Sequence, residues 1–143
     1  MRTINVSDIT DAVAKLAMDA NYYLSQDIYN SLDQGSRSEE SPLGREILGQ
    51  LVKNACIARE KAVPICQDTG MAVVFIEIGQ DVHLVGGSLE DAVNAGVARG
   101  YSEGYLRKSL VDDPLFVRKN TGDNTPAVLH TTLVPGDKVK IAL

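Results

Sequence analysis

The sequence predicts an α/β (mixed α+β) protein in which N-terminal helices pack on a mixed β-sheet, and three patterns carry this prediction. Apolar residues recur at helical spacing through the first part of the chain. β-Branched runs typical of strands dominate the second part. A further helical pattern with its own capping signal follows the first two strands. We therefore expect two helices, a hairpin, a third helix and then more strands.

The first two helices are predicted from apolar spacing and capping residues. An apolar stripe over residues 9–28, capped by Ser7, predicts one amphipathic helix across about the first thirty residues. The polar run 34–40 predicts a flexible connector. Ser41 and Pro42 then begin a second helix as a cap residue and a first-turn proline. Its expected apolar face comprises Leu43, Ile47, Leu48, Leu51, Val52, Ala55 and Cys56.

The first strands and the third helix follow in the middle of the chain. Residues 72–78 and 82–85, joined by a turn, predict a hairpin. Ser88, followed three residues later by Asp91, resembles a capping box that starts the third helix. The glycines at 96, 100 and 104 on that helix indicate that another element packs very close to it.

A long segment without helical or strand periodicity precedes the last strands. Residues 111–126 are rich in Asn, Asp, Thr and Gly, and therefore predict an ordered functional loop. We expect Asn120, Thr121 and Asn124 mainly to cap and shape this loop. Residues 127–134 and 139–143 alternate like strands around a Pro-Gly turn.

Length, charge and composition exclude several function classes. The 143 residues, 44% of them hydrophobic, predict a single domain over residues 1–143 with a real core. A net charge of -5 without clustered Lys and Arg argues against nucleic-acid binding. The sequence contains neither a membrane-spanning run nor a signal-peptide pattern, which predicts a cytoplasmic protein without a membrane partner. The two cysteines are expected to be reduced.

Residues 64–70 concentrate chemically active side chains in one short loop. Cys66 is a soft metal ligand, and Gln67 and Asp68 add an amide and a carboxyl group directly after it. The apolar run 71–78 follows at once and predicts a buried strand. Because loops anchored on rigid elements often carry function, this loop is a candidate site.

The residues alone leave structural alternatives open. Cys66 could be a small buried hydrophobe at a strand entrance, and Gln67 and Asp68 could be turn formers near a glycine. Arg107 could be a solvated cation that interacts weakly with the helix dipole. Cys56 lies on the apolar stripe of the second helix, so we expect it in the core and leave it out of the site.

Five segments, taken in order, carry a family resemblance. They are residues 64–70, 86–89, 105–109, 118–127 and 134–139. Together they resemble the α-type catalytic half of the iron–sulfur hydro-lyases, the class I fumarate hydratase and L(+)-tartrate dehydratase family. The resemblance covers nearly the whole chain.

The resemblance implies a reaction and a set of roles. A [4Fe–4S] cluster would be held by three cysteines, Cys66 among them, which leaves one iron open to substrate. Gln67 and Arg107 would bind substrate carboxylates, and Asp68 would bind substrate and take part in proton transfer. The implied reaction is reversible loss of water from a 2-hydroxy dicarboxylate: malate to fumarate, as in the TCA cycle, or alternatively tartrate dehydration. The main base stays open, because the family places further catalytic groups on its β-type half.

Length is where the sequence departs from the family. The α-type halves continue well past the strand that starts at Val139, to two more cluster cysteines, whereas this chain stops at Leu143. We therefore expect the N-terminal part of an α subunit or α-type domain, inactive by itself. Its expected partners are a small dicarboxylate substrate and a β-type subunit or C-terminal half, in a homo- or hetero-oligomer.

Two functions of other classes remain open. Cys66 could be a nucleophile with His83 or His130 as its base, although no oxyanion motif accompanies it. Alternatively, the chain could be a non-catalytic assembly domain that uses the glycine-lined third helix and the long loop 111–126 as an interface to a partner subunit.

Overall fold

The computed structural model describes residues 1–65 and 70–143, and it confirms the predicted mixture of helices and mixed sheet. The helices are α1 Val6–Tyr22, α2 Gln26–Ser38, α3 Pro42–Lys61 and α4 Leu89–Glu103. The strands are β1 Arg2–Asn5, β2 Val73–Gly79, β3 Val82–Val85, β4 Val111–Asp112, β5 Lys119–Asn120, β6 Val128–Val134 and β7 Val139–Ala142. The described residues group into two compact units, residues 1–18 with 70–143 and residues 19–65.

The N-terminal segment differs from the prediction of one long helix. It begins with a short strand, β1, and the helical stripe is divided into α1 and α2. Between them, the Asn21 carbonyl accepts a hydrogen bond from Ile65 N (2.9 Å) and the Leu24 carbonyl from Arg59 Nη2 (3.1 Å). These tertiary hydrogen bonds involve carbonyls that a continuous helix would use internally, so the apolar spacing persists while the helix does not.

Two local details of this segment were also predicted wrongly. Asn5, and not Ser7, caps α1, since Asn5 Oδ1 accepts a hydrogen bond from Ser7 N at 3.0 Å. The expected connector at 34–40 is helical as far as Ser38. Ser36 and Ser38 donate their hydroxyls to carbonyls three and four residues earlier (2.8 and 3.1 Å), so the polar side chains are satisfied within the helix.

The predicted hairpin is absent from the described sheet pairings. β3 pairs in parallel with β1, and β2 pairs in parallel with β6 and antiparallel with β7. The turn after β2 bonds elsewhere: Gln80 N donates to Val134 O (2.8 Å) and Asp81 N to Gly136 O (2.9 Å). Because this turn is tied to the connection between β6 and β7, the chain leaves β2 for a different sheet.

β2 is the central strand of the three-stranded sheet β6-β2-β7. Its residues alternate between the two faces, with Val74, Ile76 and Ile78 buried. On the opposite face Phe75 stacks on His130 of β6, with ring centroids 4.9 Å apart. β6 and β7 were predicted as strands correctly, but they flank β2 and do not pair with each other.

Helix α1 packs against the glycines of α4, the helix that follows β2 and β3. A Cβ at Gly96 would lie 2.8 Å from Thr10 O and from Val13 Cβ, and one at Gly100 would lie 2.9 Å from Ala14 O. The prediction of a close neighbour is therefore confirmed at these two positions. Gly104 instead ends the helix as its C-cap. The two glycines serve packing inside this unit, which removes them from the proposed partner interface.

The second unit contains the α2 and α3 helices. Ser41 caps α3 as predicted, accepting a hydrogen bond from Gly44 N at 3.3 Å. The expected apolar face is only partly covered, because Ala55 is buried whereas Leu43 is 66% exposed and Leu51 45% exposed. Among the residues described, no helix is long and apolar enough to cross a membrane.

Candidate functional site

Three of the four predicted site residues, Cys66, Gln67 and Asp68, lie outside the described residues. The fourth, Arg107, is described and has an exposed side chain. The described part of the candidate site therefore comprises the residues that follow the Cys66 motif and the segment that carries Arg107.

The backbone around Arg107 is held on both sides. Before it, Leu106 is buried and donates its N–H to Tyr101 O in the last turns of α4 (3.1 Å). After it, the Lys108 carbonyl accepts a hydrogen bond from Asn120 Nδ2 at 2.8 Å. These two hydrogen bonds hold the backbone of the Arg107 segment in place.

Asn124 connects the Arg107 segment to the end of the Cys66 motif. Its side chain is fully buried. Oδ1 accepts hydrogen bonds from Ser109 N (2.8 Å) and Leu110 N (2.9 Å), and Nδ2 donates to Gly70 O (2.9 Å). Gly70 directly follows Thr69 in the sequence. One amide therefore joins the two segments on which the sequence predicted binding residues.

The long loop is ordered by hydrogen bonds, as expected. β4 and β5 pair antiparallel, and Thr121 N donates to Leu110 O at 3.1 Å. Asn120 Oδ1 also accepts a hydrogen bond from Gly122 N (2.8 Å), so both ends of its side-chain amide shape the loop. At the hairpin tip, the Asp113 carboxylate accepts from the Phe116 and Val117 amides (3.3 and 3.2 Å).

Asp123 stabilises the turn that leads from Asn124 into β6. Its Oδ1 accepts hydrogen bonds from Thr125 N (3.0 Å) and Thr125 Oγ1 (2.8 Å). These bonds favour the ionised carboxyl and lower the pKa of Asp123. Together with Ala127 N, which donates to Asn94 Oδ1 at 2.9 Å, they place Asn124 on a fixed backbone.

A cavity of about 430 Å³ opens beside the junction that Asn124 makes. It is lined by Met71, Ser109, Leu110, Val111, Asp112, Asp113, Pro114, Thr121 and Pro126. Most of these side chains are apolar, and Ser109 and Thr121 contribute hydroxyls. The cavity therefore lies between the residue after Gly70 and the segment after Arg107.

A second cavity of about 340 Å³ lies where β1 and β3 lead into α1 and α4. The amide of Ser7 at its edge is satisfied by Asn5, and that of Asp91 by Ser88 Oγ (3.4 Å). Arg107, the predicted site residue that the structure describes, does not line it.

Comparison with known protein families identifies the family of this chain. The family model described as Fumarate hydratase (Fumerase) matches residues 10–143. The chain belongs to the fumarate hydratase family. The resemblance drawn from the motifs is thus confirmed at the level of the family.

Individual relatives of this fumarate hydratase family chain carry two kinds of name. A Methanocaldococcus jannaschii protein, provisionally named L(+)-tartrate dehydratase subunit alpha, is 33% identical over 84% of this chain and 43% of its own length. Fumarate hydratase 2 of Leishmania major is 33% identical over 93% of this chain and 24% of its own length. The aerobic class I fumarate hydratase of Escherichia coli K12 is 38% identical over 71% of this chain and 19% of its own length. The chain thus spans less than half the length of each of these relatives.

The donor set of this family member does not fit a complete [4Fe–4S] cluster. The chain has two cysteines, fewer than the three thiolates that the resemblance implies. Cys56 is half-buried on α3, and its Sγ lies 3.5 Å from the Tyr29 hydroxyl. Within residues 1–65 and 70–143, no group of three or more His, Cys, Asp or Glu side chains could hold a metal ion. At most one thiolate, that of Cys66, is left for a cluster.

The binding role of Arg107 stays a prediction, whereas the contacts of Asn124 extend beyond the loop that it was expected to shape. An Asn in a polar loop is typical of turn formation, and Asn124 does cap two loop amides. Its link to Gly70 spans 54 positions and has no local signature. His130 lies on β6 beside β2, where its ring stacks on Phe75. The thiol-hydrolase alternative involves Cys66, so it stays a prediction.

Proposed function

We propose that this chain is the N-terminal part of the α-type half of an iron–sulfur hydro-lyase, which interconverts malate and fumarate. The observation that carries the proposal is the Asn124 bridge, which connects Gly70 to the backbone directly after Arg107. It ties the end of the Cys66 motif to a cation suited to a dicarboxylate. L(+)-tartrate is the second substrate, favoured by the name of the M. jannaschii relative.

The proposed roles follow from side-chain chemistry. Arg107 binds one substrate carboxylate through its planar guanidinium, which keeps its charge when water is excluded. Gln67 donates a hydrogen bond to a carboxylate, and Asp68 takes part in proton transfer at the carbon next to the leaving hydroxyl. Further catalytic groups, including the main base, belong to the β-type half.

The proposed cofactor is shared between this chain and sequence outside it. Cys66 supplies one of three thiolates to a [4Fe–4S] cluster, and the other two come from beyond residue 143. When bound, the cluster offers an open iron that acts as a Lewis acid toward the departing hydroxide. The partners are accordingly a C-terminal continuation and a β-type half, in a cytoplasmic oligomer.

The test compares Arg107 with an exposed arginine of the loop 111–126. The chain, co-expressed with its proposed C-terminal continuation and a β-type half and reconstituted anaerobically with iron and sulfide, is assayed on L-malate, fumarate and L(+)-tartrate. Arg107→Ala is expected to reduce kcat/KM about 100-fold, because a charge-assisted bidentate pair is lost. Arg118→Gln, which removes an exposed cation, should leave it within about twofold.

Two results would contradict the proposal. One is a reconstituted wild-type protein that turns over none of the three acids. The other is equal loss of activity in the Arg107 and Arg118 variants, which would indicate a general effect of charge.

A further inference from the structure

We propose that Asn124 is a positioning residue, which holds the Arg107 segment and the end of the Cys66 motif at the separation that a dicarboxylate requires. The inference rests on the proposed function and deepens it. It assigns to a buried amide, which touches no substrate, control over two groups that bind the same molecule.

The burial and backbone conformation of Asn124 indicate that its position is specified. Its side chain has no solvent exposure, and its φ of 64° is in the left-handed region, which Asn tolerates better than other non-glycine residues. The adjoining turn is held by Asp123, which accepts two hydrogen bonds from Thr125. A buried side chain on a fixed backbone can transmit position between the groups that it bonds.

The bonding of Asn124 uses both ends of the amide. Oδ1 accepts two backbone N–H groups, from Ser109 and Leu110, while Nδ2 donates to the Gly70 carbonyl. An Asp at this position would retain an acceptor but present a carboxylate oxygen to a carbonyl oxygen. A Gly would tolerate the backbone angle but remove every bond of the bridge.

The bridge reaches Arg107 through a short, restrained segment. Ser109 is two residues beyond Arg107, and Leu106, directly before it, is tied to Tyr101 O by its amide (3.1 Å). A shift of Ser109 relative to Gly70 is therefore passed to the guanidinium. Since misplacement by about 1 Å can cost roughly 100-fold in rate, the bridge can matter to turnover without contacting substrate.

The experiment uses the reconstituted enzyme described above, with L-malate and L(+)-tartrate as substrates. Asn124→Asp and Asn124→Gly are each expected to lower kcat/KM about tenfold or more, mostly through KM, because the two binding groups are displaced. Asp113→Ala is the matched control. It also removes two hydrogen bonds from this loop, those from the Phe116 and Val117 amides at the hairpin tip, but it touches neither Gly70 nor the Arg107 segment, and it should change kcat/KM less than about twofold.

A double-mutant cycle separates positioning from general destabilisation. Adding Arg107→Ala should lower kcat/KM by a much smaller factor in the Asn124→Gly protein than in the wild type, because Arg107 is already misplaced. In the Asp113→Ala protein the same change should have its full effect on kcat/KM. Multiplicative effects of Asn124→Gly and Arg107→Ala would overturn the proposal, as would near-wild-type kcat/KM in both Asn124 variants.

Hydrogen exchange tests the bridge without any activity. The Ser109 and Leu110 amides should exchange more slowly in the wild type than in Asn124→Gly, and Asn124→Asp should retain part of the protection. Equal exchange would overturn the bridge itself. A wild-type enzyme inactive on both acids would overturn the proposed function and the positioning role with it, whereas an active enzyme with unaffected variants overturns the positioning role alone.

Discussion

The contact between Tyr29 and Cys56 shows how one residue pair fixes a property that neither has alone. The hydroxyl and thiol lie 3.5 Å apart between α2 and α3. This hydrogen bond, followed by charge repulsion from a Cys56 thiolate, raises the pKa of Tyr29. Cys56 thus belongs to local packing in the helical unit, in line with its exclusion from the site.

Replacing Cys56 should therefore change the titration of a tyrosine. In Cys56→Ala we expect the pKa of Tyr29 to move down toward its ordinary value of 10.0, because the two largest causes of the increase are removed. The measurement is tyrosinate ultraviolet absorbance against pH. Tyr29→Phe identifies which step of the titration belongs to this residue, and an unchanged step in Cys56→Ala would contradict the prediction.

Asp123 makes the stability of the loop depend on pH. Its pKa is lowered from 3.8 by hydrogen bonds from Thr125, so its contribution is fully present above that value and is lost as pH falls through the lower folded pKa. Asp123→Ala should reduce the free energy of unfolding by about 1 kcal/mol at neutral pH. Urea unfolding across this range should show the difference vanishing in acid.

The control for Asp123 is Asp123→Asn, which keeps an acceptor oxygen but does not titrate. Its stability relative to Asp123→Ala should not depend on pH in the same range. If the difference in free energy of unfolding between wild type and Asp123→Ala stays constant down to the most acid condition, the ionised carboxyl does not cause that difference.

At the scale of elements, α1 and α4 pack closely through the glycines of α4. A methyl group at Gly96 would meet backbone and Cβ atoms of α1, none of which can rotate away. We expect Gly96→Ala to destabilise the protein by about 1–3 kcal/mol, because the helices must move apart. Chemical denaturation of the isolated chain measures this directly.

Gly49 provides a helical control of opposite sign. It is exposed in α3, and a Cβ there would have no atom within 4 Å. Gly49→Ala should stabilise the protein by roughly 0.5–1 kcal/mol through reduced backbone entropy of the unfolded chain. Equal effects of Gly96→Ala and Gly49→Ala would contradict close packing of α1 on α4.

At the scale of the whole molecule, the number of thiolates limits what this chain can do by itself. With Cys56 on α3 beside Tyr29, the 143 residues offer one thiolate for the cluster proposed above, which would need three. The chain, reconstituted anaerobically with iron and sulfide, should retain no stable cluster after desalting and show no hydro-lyase activity.

The two parts that are proposed to complete the site should give the assembly a stable cluster and hydro-lyase activity. Addition of the C-terminal continuation and a β-type half is expected to produce the broad visible absorbance of an iron–sulfur cluster together with turnover. Cys66→Ser should abolish the cluster in that assembly, whereas Cys56→Ser should retain it. A stable, active cluster in the 143-residue chain alone would contradict the shared-cluster proposal.

The caps of α3 and α4 were predicted correctly, because neighbouring residues carry the whole cause. Ser41 and Ser88 cap their helices because the cap and the amide that it accepts from are three residues apart. The strand at β2 was also predicted correctly, but only one of its faces is buried, since Val74 and Ile76 are covered whereas Phe75 is 55% exposed. Strand pairing was predicted wrongly, because the hydrogen bonds that divert the chain after β2 join Gln80 and Asp81 to residues more than fifty positions away.

The sequence by itself determined the mixed class, the family and the identity of the candidate site residues, since composition, periodicity and motif order are written in short stretches of chain. Only the tertiary structure decided that β3 leaves β2 to pair with β1, that α1 fills the glycine face of α4, and that Asn124 joins Gly70 to the segment after Arg107. Each of these depends on hydrogen bonds or contacts between residues far apart in the chain. No local pattern encodes such contacts, because they form only when the whole unit has folded.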